Sequence, residues 1–393
     1  MLYDLIIDNA RIHDPSGRLP KSARGLALKD GRVAAINPPE NAKAVDAIDA
    51  QGRLLLPGFV DCHTHAVFAG NRMNEHAKKL EGASYEEIAK AGGGIIATVE
   101  AVRQASVDEL VEQSLPRVLA LAAEGVTSME IKSGYGLTLD DELKMLEAIG
   151  ELANRVPMNI TPTFLGAHAI PKDRDQADYV NEVCEVMLPA VAEQGIAEAV
   201  DVFAERIAFT KQETQRILET AKSLGLKLRA HTDQLSNLGA TRAAAELGAL
   251  SCDHLEYTDE QDIFAMAKAK TVAVLLPGAF YFLKETKKPP VASFREKRVP
   301  MAIATDLNPG SSPLASILTA MHMGCIFFGL TPDEALRGVT INAARALGHD
   351  DIGHLDVGAR ADFTLWDLEG PEYLTYQLGG LRPTHTFFHG VQQ

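Results

Sequence analysis

Apolar and polar positions alternate in short runs at both ends of the chain. Near the N-terminus, residues 5–12 (LIIDNARI) and 32–36 (RVAAI) are such runs, separated by turn residues. Residues 361–367 (ADFTLWD) and 384–389 (THTFFH) show the same period of two near the other end. This pattern is typical of antiparallel β-sheet. Because both ends share it around a different middle, we predict one small β-sandwich assembled from the two termini.

The middle of the chain alternates apolar runs of strand length with amphipathic helical stretches. Two capping boxes, Ser106-Val-Asp-Glu109 and Thr210-Lys-Gln-Glu213, mark helix starts, and Gly125 and Gly225 mark the corresponding stops. Eight strands alternating with helices predict a parallel barrel. The predicted strands cover residues 58–60, 126–131, 160–165, 199–203, 227–230, 252–254, 271–276 and 301–304.

The length of the chain fits these two units. Its 393 residues exceed one ordinary domain, and an α/β barrel alone takes about 250 residues. We therefore predict a (β/α)8 TIM-type barrel over residues 57–354. The small β-sandwich domain is predicted from residues 1–56 and 355–393.

Side chains that can bind a metal follow several of the predicted strands. His63 and His65 come directly after the first strand, and residues two apart on a strand face the same way. His231 and Asp306 follow two later strands. Each histidine alone is explained as well by a structural hydrogen bond, but four such residues at matching strand ends favour a metal site. Imidazole nitrogens and a carboxylate suit zinc and leave one position open for water.

Such a site predicts hydrolytic chemistry. A metal ion lowers the pKa of a bound water from roughly 15.7 to about 7. Asp306, if it touches both metal and water, can take the proton and pass it to a leaving nitrogen. His254 is predicted to polarise a carbonyl or relay a proton, with a hydrogen-bonded core histidine as the alternative. Whether Asp306 or His254 is the general base stays open.

Composition and charge narrow the possible partners. The net charge of −15 argues against nucleic acid and against an anionic membrane, although an anionic small substrate fits a locally positive pocket. The first residues contain an acid within the apolar run and no basic flank, so we expect no signal peptide. Four cysteines without paired spacing indicate reduced thiols and a cytoplasmic protein.

Several motifs resemble the amidohydrolase superfamily over nearly the whole chain. Residues 57–65 (PGFVDCHTH) and 304–306 (ATD) carry the general likeness. More specific stretches resemble, within that superfamily, the enzymes that hydrolyse the cyclic amide of 4-imidazolone-5-propanoate to N-formimidoyl-L-glutamate in histidine degradation. These stretches are 130–136 (EIKSGYG), 164–168 (FLGAH), 231–237 (HTDQLSN), 276–281 (LPGAFY) and 306–312 (DLNPGSS).

The resemblance implies a role for each matching residue. In members of the superfamily that hold two metal ions, a carboxylated lysine at the end of the fourth strand bridges them. This chain offers Asp201 and Glu205 there with no lysine in reach, so one metal ion, zinc or iron, is expected. Lys132 is interpreted as structural or as a support for a metal ligand. Arg72 matches the group that binds the substrate propanoate, and its fork suits a carboxylate. The metal ligands implied are His63, His65, His231 and Asp306, and the further substrate contacts are Tyr135, His168, Gln234, Asn308, Gly310 and Ser311.

Three questions stay open at this level. Gln234 stands where some members of the family carry a glutamate, and an amide cannot act as a base. The resemblance leaves a homodimer open, since dimers are common in the family and no stretch marks an interface. The rival functions are another reaction on the same scaffold, such as deamination with release of ammonia, and a scaffold without catalysis.

Overall fold

The centre of the molecule is a parallel sheet of eight strands. It is seen in a computed structural model that describes residues 2–82 and 93–393. Each strand pairs with its neighbours in chain order, so the predicted barrel is confirmed. The strands are β7 (Phe59–Asp61), β8 (Val126–Lys132), β9 (Asn159–Ala167), β10 (Ala199–Ala204), β11 (Lys227–Thr232), β12 (Ser251–His254), β13 (Val272–Leu275) and β14 (Met301–Ile303).

The first and last strands of this sheet meet at their carboxyl ends. Thr64 and Leu307 form an isolated parallel bridge. The His65 N–H donates to Leu307 O at 2.9 Å, and the Asp306 N–H donates to His63 O at 3.0 Å. These bonds bring the segment after β7 against the segment after β14. Two predicted ligand segments that lie more than 200 residues apart in sequence therefore become neighbours.

Helices follow the barrel strands, and both predicted capping boxes are confirmed. The Ser106 and Thr210 side chains accept from the N–H groups of Glu109 and Glu213, whose carboxylates bond back. Within residues 2–82 and 93–393, the α-helices are Met73–Leu80, Ile95–Gln104, Val107–Ala122, Leu139–Arg155, Gln176–Glu182, Leu188–Gln194, Lys211–Ser223, Ala240–Leu247, Glu260–Ala269, Pro277–Phe282, Val291–Lys297, Ile317–Phe328, Pro332–Gly338, Ile341–Leu347 and Tyr373–Tyr376, with a π-helical turn at Val183–Met187.

Two smaller sheets are built from the chain ends, as predicted. Their strands are β1 (Leu2–Asp8), β2 (Arg11–Ile12), β3 (Leu26–Lys29), β4 (Arg32–Ile36), β5 (Lys43–Asp49), β6 (Leu54–Pro57), β15 (Phe363–Trp366), β16 (His385–Phe388) and β17 (Val391–Gln392). One sheet has the order β4-β3-β1-β5, and the other has the order β17-β16-β15-β6-β2.

The expectation of a purely antiparallel terminal sheet was wrong. β1 pairs with β5 in parallel, and β2 pairs with β6 in parallel. The alternation of apolar residues shows which face of a strand is buried, but it carries no information on the direction of the neighbouring strand. The β3–β4 hairpin lies between β1 and β5 in sequence and provides the crossover that a parallel pair requires.

Strand β6 belongs to both parts of the core. Leu55 packs with Ile7, Leu365 and Phe387 in the core between the two terminal sheets. Leu54 and Leu56, on the opposite face of the strand, pack into the barrel core. The strand therefore joins the two units, and domain boundaries at residues 56 and 355 stay a prediction. Within the described part of the chain, no helix is both long and apolar enough to cross a membrane.

Candidate active site

Four predicted side chains converge at the carboxyl ends of the barrel strands. The nitrogens of His63, His65 and His231 lie within 4.8 Å of one another. His65 Nε2 is 3.4 Å from His231 Nε2. Asp306 Oδ1 lies 3.4 Å from His63 Nε2 and 3.5 Å from His65 Nε2. The barrel thus brings together residues that the sequence placed at three different strand ends.

These separations fit a common metal ion. Ligand atoms about 2.0–2.1 Å from one ion, at tetrahedral angles, lie roughly 3.4 Å apart. His63 Nε2 is also buried and has no hydrogen-bond partner among the described residues. A buried polar atom without a partner is costly unless something binds it. Three imidazoles and one carboxylate therefore form a donor set that can hold zinc or a similar metal.

The electrostatics of the site favour the coordinating form of two of the three histidines, His63 and His65, whereas the Asp201 carboxylate raises the pKa of His231 against the effect of burial. Burial, reinforced by neighbouring positive charges, lowers the pKa of His63 and of His65 well below the ordinary value. Both imidazoles are therefore neutral, which is the form that donates a lone pair to a metal. Burial raises the pKa of the Asp306 carboxyl to about 7. Asp306 also has a backbone φ of 52°, a left-handed conformation that is strained for a residue with a side chain.

Two buried carboxylates fix the orientation of the histidines. His63 Nδ1 is 2.6 Å from Asp253 Oδ2, and His231 Nδ1 is 3.0 Å from Asp201 Oδ1. Each carboxylate accepts the Nδ1 proton, so that Nε2 keeps its lone pair and faces the cluster. Asp253 and Asp201 therefore select the tautomer that binds metal.

A buried lysine belongs to the same network. Lys132 Nζ lies 2.8 Å from Asp201 Oδ2 and 2.6 Å from Glu130 Oε1. The expectation that no lysine reaches the fourth strand was wrong, because Lys132 extends across the barrel interior from β8 to β10. The distance of two strands along the sheet becomes a short distance across a closed barrel. Lys132 has two carboxylate partners and no exposed surface, and one partner, Asp201, also contacts His231. Both roles that the sequence left open for Lys132, structural and supporting a ligand, are compatible with these contacts.

Three aromatic side chains surround the metal-binding cluster. The ring of His168 stacks on that of His65 at 5.1 Å, and His168 Nδ1 is 2.9 Å from Gly134 O. The Tyr135 ring lies 5.9 Å from the His65 ring. The His254 ring is 5.5 Å from the His231 ring, and its buried Nδ1 has no partner among the described residues. These predicted residues are thus placed around one centre.

Arg72 and the loop after Asp306 form an edge beside this centre. A side chain on Gly310 would overlap Arg72 Nη1 and lie 3.1 Å from Arg72 Cζ, so the guanidinium packs on bare backbone. Asn308 Oδ1 accepts from the N–H groups of Gly310 and Ser311 at 2.8 and 2.7 Å. The Asn308 side chain therefore organises its own loop.

Two further buried polar residues, Gln234 and Glu205, differ in the hydrogen bonds that they make. Gln234 is buried just after β11, and it makes no hydrogen bond with the described residues. Glu205 accepts from the N–H groups of Leu235 and Ser236 at 2.8 and 3.2 Å and from Ser236 Oγ at 2.6 Å. Glu205 therefore holds the loop that follows Gln234, a role that the sequence left open.

Comparison with known proteins gives the chain its family. The model of the amidohydrolase family matches residues 54–392. An imidazolonepropionase of Stenotrophomonas maltophilia is 51% identical over 364 residues, covering 92% of this chain and 89% of its own. The imidazolonepropionase of Hahella chejuensis is 51% identical over 395 residues, covering 97% and 98%. The chain belongs to the imidazolonepropionases of the amidohydrolase family. The predicted hydrolase class is thereby confirmed.

The solved structures support the fold of this amidohydrolase. An adenosine deaminase from Xanthomonas campestris, with bound zinc, superposes with a TM-score of 0.76 at 17% identity, covering 100% of this chain and 93% of that one. At this low identity the likeness concerns the architecture alone. It confirms the predicted fold, a barrel with additional sheets from the termini.

The sequence missed two groups in the amidohydrolase site. Asp253 and Asp201 were not predicted as partners of the metal-binding histidines. Both lie on barrel strands, at β12 and β10, and both are fully buried. An acid on a barrel strand that ends at the candidate metal site indicates a partner for a side chain of that site, since an unpaired buried carboxylate is costly. Which histidine each would meet depends on how the barrel closes.

Proposed function

We propose that this protein hydrolyses the cyclic amide of 4-imidazolone-5-propanoate to N-formimidoyl-L-glutamate, in histidine degradation. One observation carries the proposal. In a chain from the imidazolonepropionase family, three separations among His63, His65, His231 and Asp306 are 3.4–3.5 Å, the value expected of ligands around one ion.

The proposed cofactor is a single zinc or iron ion held by these four residues. When bound, the ion supplies the Lewis acidity that makes a water molecule nucleophilic near neutral pH. A second ion on a carboxylated lysine is disfavoured, because Lys132 Nζ is ion-paired with Glu130 and Asp201 inside the barrel.

Asp306 and His254 perform the proton chemistry in this proposal. Asp306 takes a proton from the attacking water as the water oxygen bonds to the ring carbonyl carbon. It then delivers that proton to the ring nitrogen as the bond between this nitrogen and the carbonyl carbon breaks. His254 donates a hydrogen bond to the carbonyl oxygen while negative charge develops there. The unpartnered Nδ1 of His254 is consistent with a side chain free to meet a substrate.

The remaining side chains bind and orient the substrate. Arg72 provides positive charge for the propanoate group, which the net charge of −15 of the whole chain does not supply. Tyr135, His168 and Gln234 border the ring. The loop with Asn308, Gly310 and Ser311 receives the new α-carboxylate, and the bare backbone at Gly310 lets Arg72 lie directly against this loop.

Three wider expectations accompany this function, on the compartment, the oligomeric state and the domain boundaries. The four cysteines, Cys62, Cys184, Cys252 and Cys325, are all free thiols. This supports a reducing compartment such as the cytoplasm. Homodimerisation and the domain boundaries at residues 56 and 355 stay predictions.

The test combines turnover with metal content on one sample. Purified protein is incubated with 4-imidazolone-5-propanoate, the loss of ultraviolet absorbance is followed, and the bound metal is measured. We expect a chelator to abolish ring opening and zinc or iron to restore it, with N-formimidoyl-L-glutamate as the product by mass. Release of ammonia would instead indicate deamination. Turnover that persists after complete metal removal would contradict the proposal.

A further inference from the structure

Arg72 is held by a carboxylate that the mechanism above does not use. Its Nε and Nη2 donate to Glu75 Oε2 at 2.9 and 2.7 Å. The other oxygen of Glu75 accepts from the Gly94 N–H at 3.0 Å. Both charged side chains are only 14% exposed. Because Glu75 is itself fixed, this pair differs from an exposed ion pair between residues three apart, which constrains little.

Gly310 confines the same guanidinium group from a second direction. A Cβ at this position would overlap Arg72 Nη1, so the group lies directly against the Gly310 backbone. Nη1 donates to no atom among the described residues, whereas the Nε edge is taken by Glu75. The edge between Nη1 and Nη2 is therefore the one that remains to bind a carboxylate.

The backbone that leads to Arg72 is anchored to the helix Val107–Ala122. Arg117 Nη2 donates to Phe68 O at 2.7 Å, and the Arg117 guanidinium lies 3.5 Å over the Phe68 ring. Gln113 Oε1 accepts from the Gly70 N–H at 3.0 Å. These contacts fix the position of the Arg72 Cα. The direction of the Arg72 side chain is fixed separately, by Glu75.

We infer that Glu75 is a positioning residue for substrate recognition, which holds Arg72 with its Nη1–Nη2 edge turned to the substrate carboxylate. The inference rests on the proposed function. A long arginine side chain loses rotamer freedom when it binds an anion. Glu75 has already removed that freedom before the substrate arrives. The negative charge of Glu75 repels the substrate carboxylate that Arg72 binds. Glu75 is therefore useful because its oxygens accept hydrogen bonds from Arg72, and not because of its charge.

A double-mutant cycle on Glu75 and Arg72 tests the inference. We expect Glu75→Ala to raise KM for the imidazolone, and Kd for N-formimidoyl-L-glutamate, by about tenfold while kcat changes less than about threefold. In an Arg72→Ala background, the same change should alter both constants by less than about twofold, because Glu75 acts only through Arg72. Metal content and circular dichroism are measured for every variant.

Two further variants separate positioning from general structural effects. Glu75→Gln keeps one acceptor oxygen for Arg72 but turns its NH2 group to the Gly94 N–H, so we expect a rise in KM smaller than that of Glu75→Ala. Glu112→Ala is the matched control, since Glu112 Oε1 pairs with Arg155 Nη2 at the same 2.7 Å on an exposed surface. It should leave both constants unchanged. If Glu75→Ala does not fold, Glu75→Asp, which retracts the carboxylate, takes its place in the cycle.

The outcomes distinguish this inference from the proposed function. Equal effects of Glu75→Ala in both backgrounds, or an effect of Glu75→Gln as large as that of Glu75→Ala, would overturn the positioning role and leave the function intact. Binding of the product without turnover of the imidazolone would overturn the proposed function, while the Kd values still decide the role of Glu75. A protein that neither turns over the imidazolone nor binds the product contradicts both.

Discussion

The metal-binding centre and the edge around Arg72 are held in place by contacts of different sequence range. His63 and Asp253 are 190 residues apart in the chain, and His231 and Asp201 are 30 apart. Arg72 instead contacts Glu75, three residues away, and Asn308 contacts residues two to four positions later. The orientation of the centre therefore depends on contacts across the barrel, whereas most hydrogen bonds that orient the edge are local. The edge depends on closure of the barrel where Arg72 packs on Gly310.

This difference predicts which changes abolish activity and which alter only affinity. A change at the centre removes a group that the reaction requires, or the carboxylate that orients it. A change at the edge leaves the reaction intact and weakens the hold on the substrate. We therefore expect the largest effects from mutations at the centre, smaller effects at the edge and the smallest effects away from both.

Asp306→Asn tests the centre most severely. The amide cannot take or deliver the proton, so kcat is expected to fall by about 10³-fold or more. The measurement is the initial rate of ring opening divided by bound metal. Asp173→Asn, a change of the same kind at an exposed residue, is the control and should retain the full rate. Activity of Asp306→Asn within tenfold of the control would remove Asp306 from the proton chemistry.

Asp253→Asn tests the long-range support of the centre. Asp253 accepts the Nδ1 proton of His63 at 2.6 Å, so its loss leaves the imidazole less firmly oriented. We expect metal affinity to fall by about 10- to 100-fold. Competition against a chelator of known affinity measures this, again with Asp173→Asn as the control. An unchanged affinity would show that neighbouring packing alone orients His63.

The two regions also differ in how far the sequence predicted them. The proposed ligands His63, His65, His231 and Asp306 could be found because each follows a strand of recognisable pattern, and parallel strands gather their carboxyl ends at one face. Asp253 was missed because its contact with His63 crosses the barrel interior. Such contacts depend on strand tilt and closure, which alternation within a single strand does not encode.

The edge shows the opposite limit of sequence analysis. Arg72 was predicted from a motif, and Glu75 lies at the helical spacing that allows an ion pair. That spacing usually marks an exposed pair of little effect, so it carries no signal of function. The structural information lies in the contacts that are not local, namely those with Gly94 and Gly310. The parallel pairing of β1 with β5 was also not predicted, because it too is a contact between segments distant in sequence.

Gly310→Ala should weaken substrate binding and leave catalysis largely intact. The new Cβ would overlap Arg72 Nη1, so the guanidinium has to leave its position against the loop. We expect KM to rise about tenfold, the cost of one displaced and newly mobile arginine, with kcat within about threefold. Steady-state kinetics measure both constants. A fall in kcat with unchanged KM would place Gly310 in the chemistry rather than in recognition.

Gly150→Ala supplies the smallest effect and the matched glycine control for the edge. Gly150 lies inside the helix Leu139–Arg155, and a Cβ there would meet Ile196 side-chain carbons at an ordinary 3.8 Å. Alanine restricts the unfolded chain and favours the helix, so the free energy of unfolding should rise by about 0.5–1 kcal/mol. Denaturant titration measures this, and KM should not change. A rise in KM as large as that of Gly310→Ala would mean that affinity responds to general changes in packing. The distinction between a centre that determines the reaction and an edge that determines affinity would then be lost.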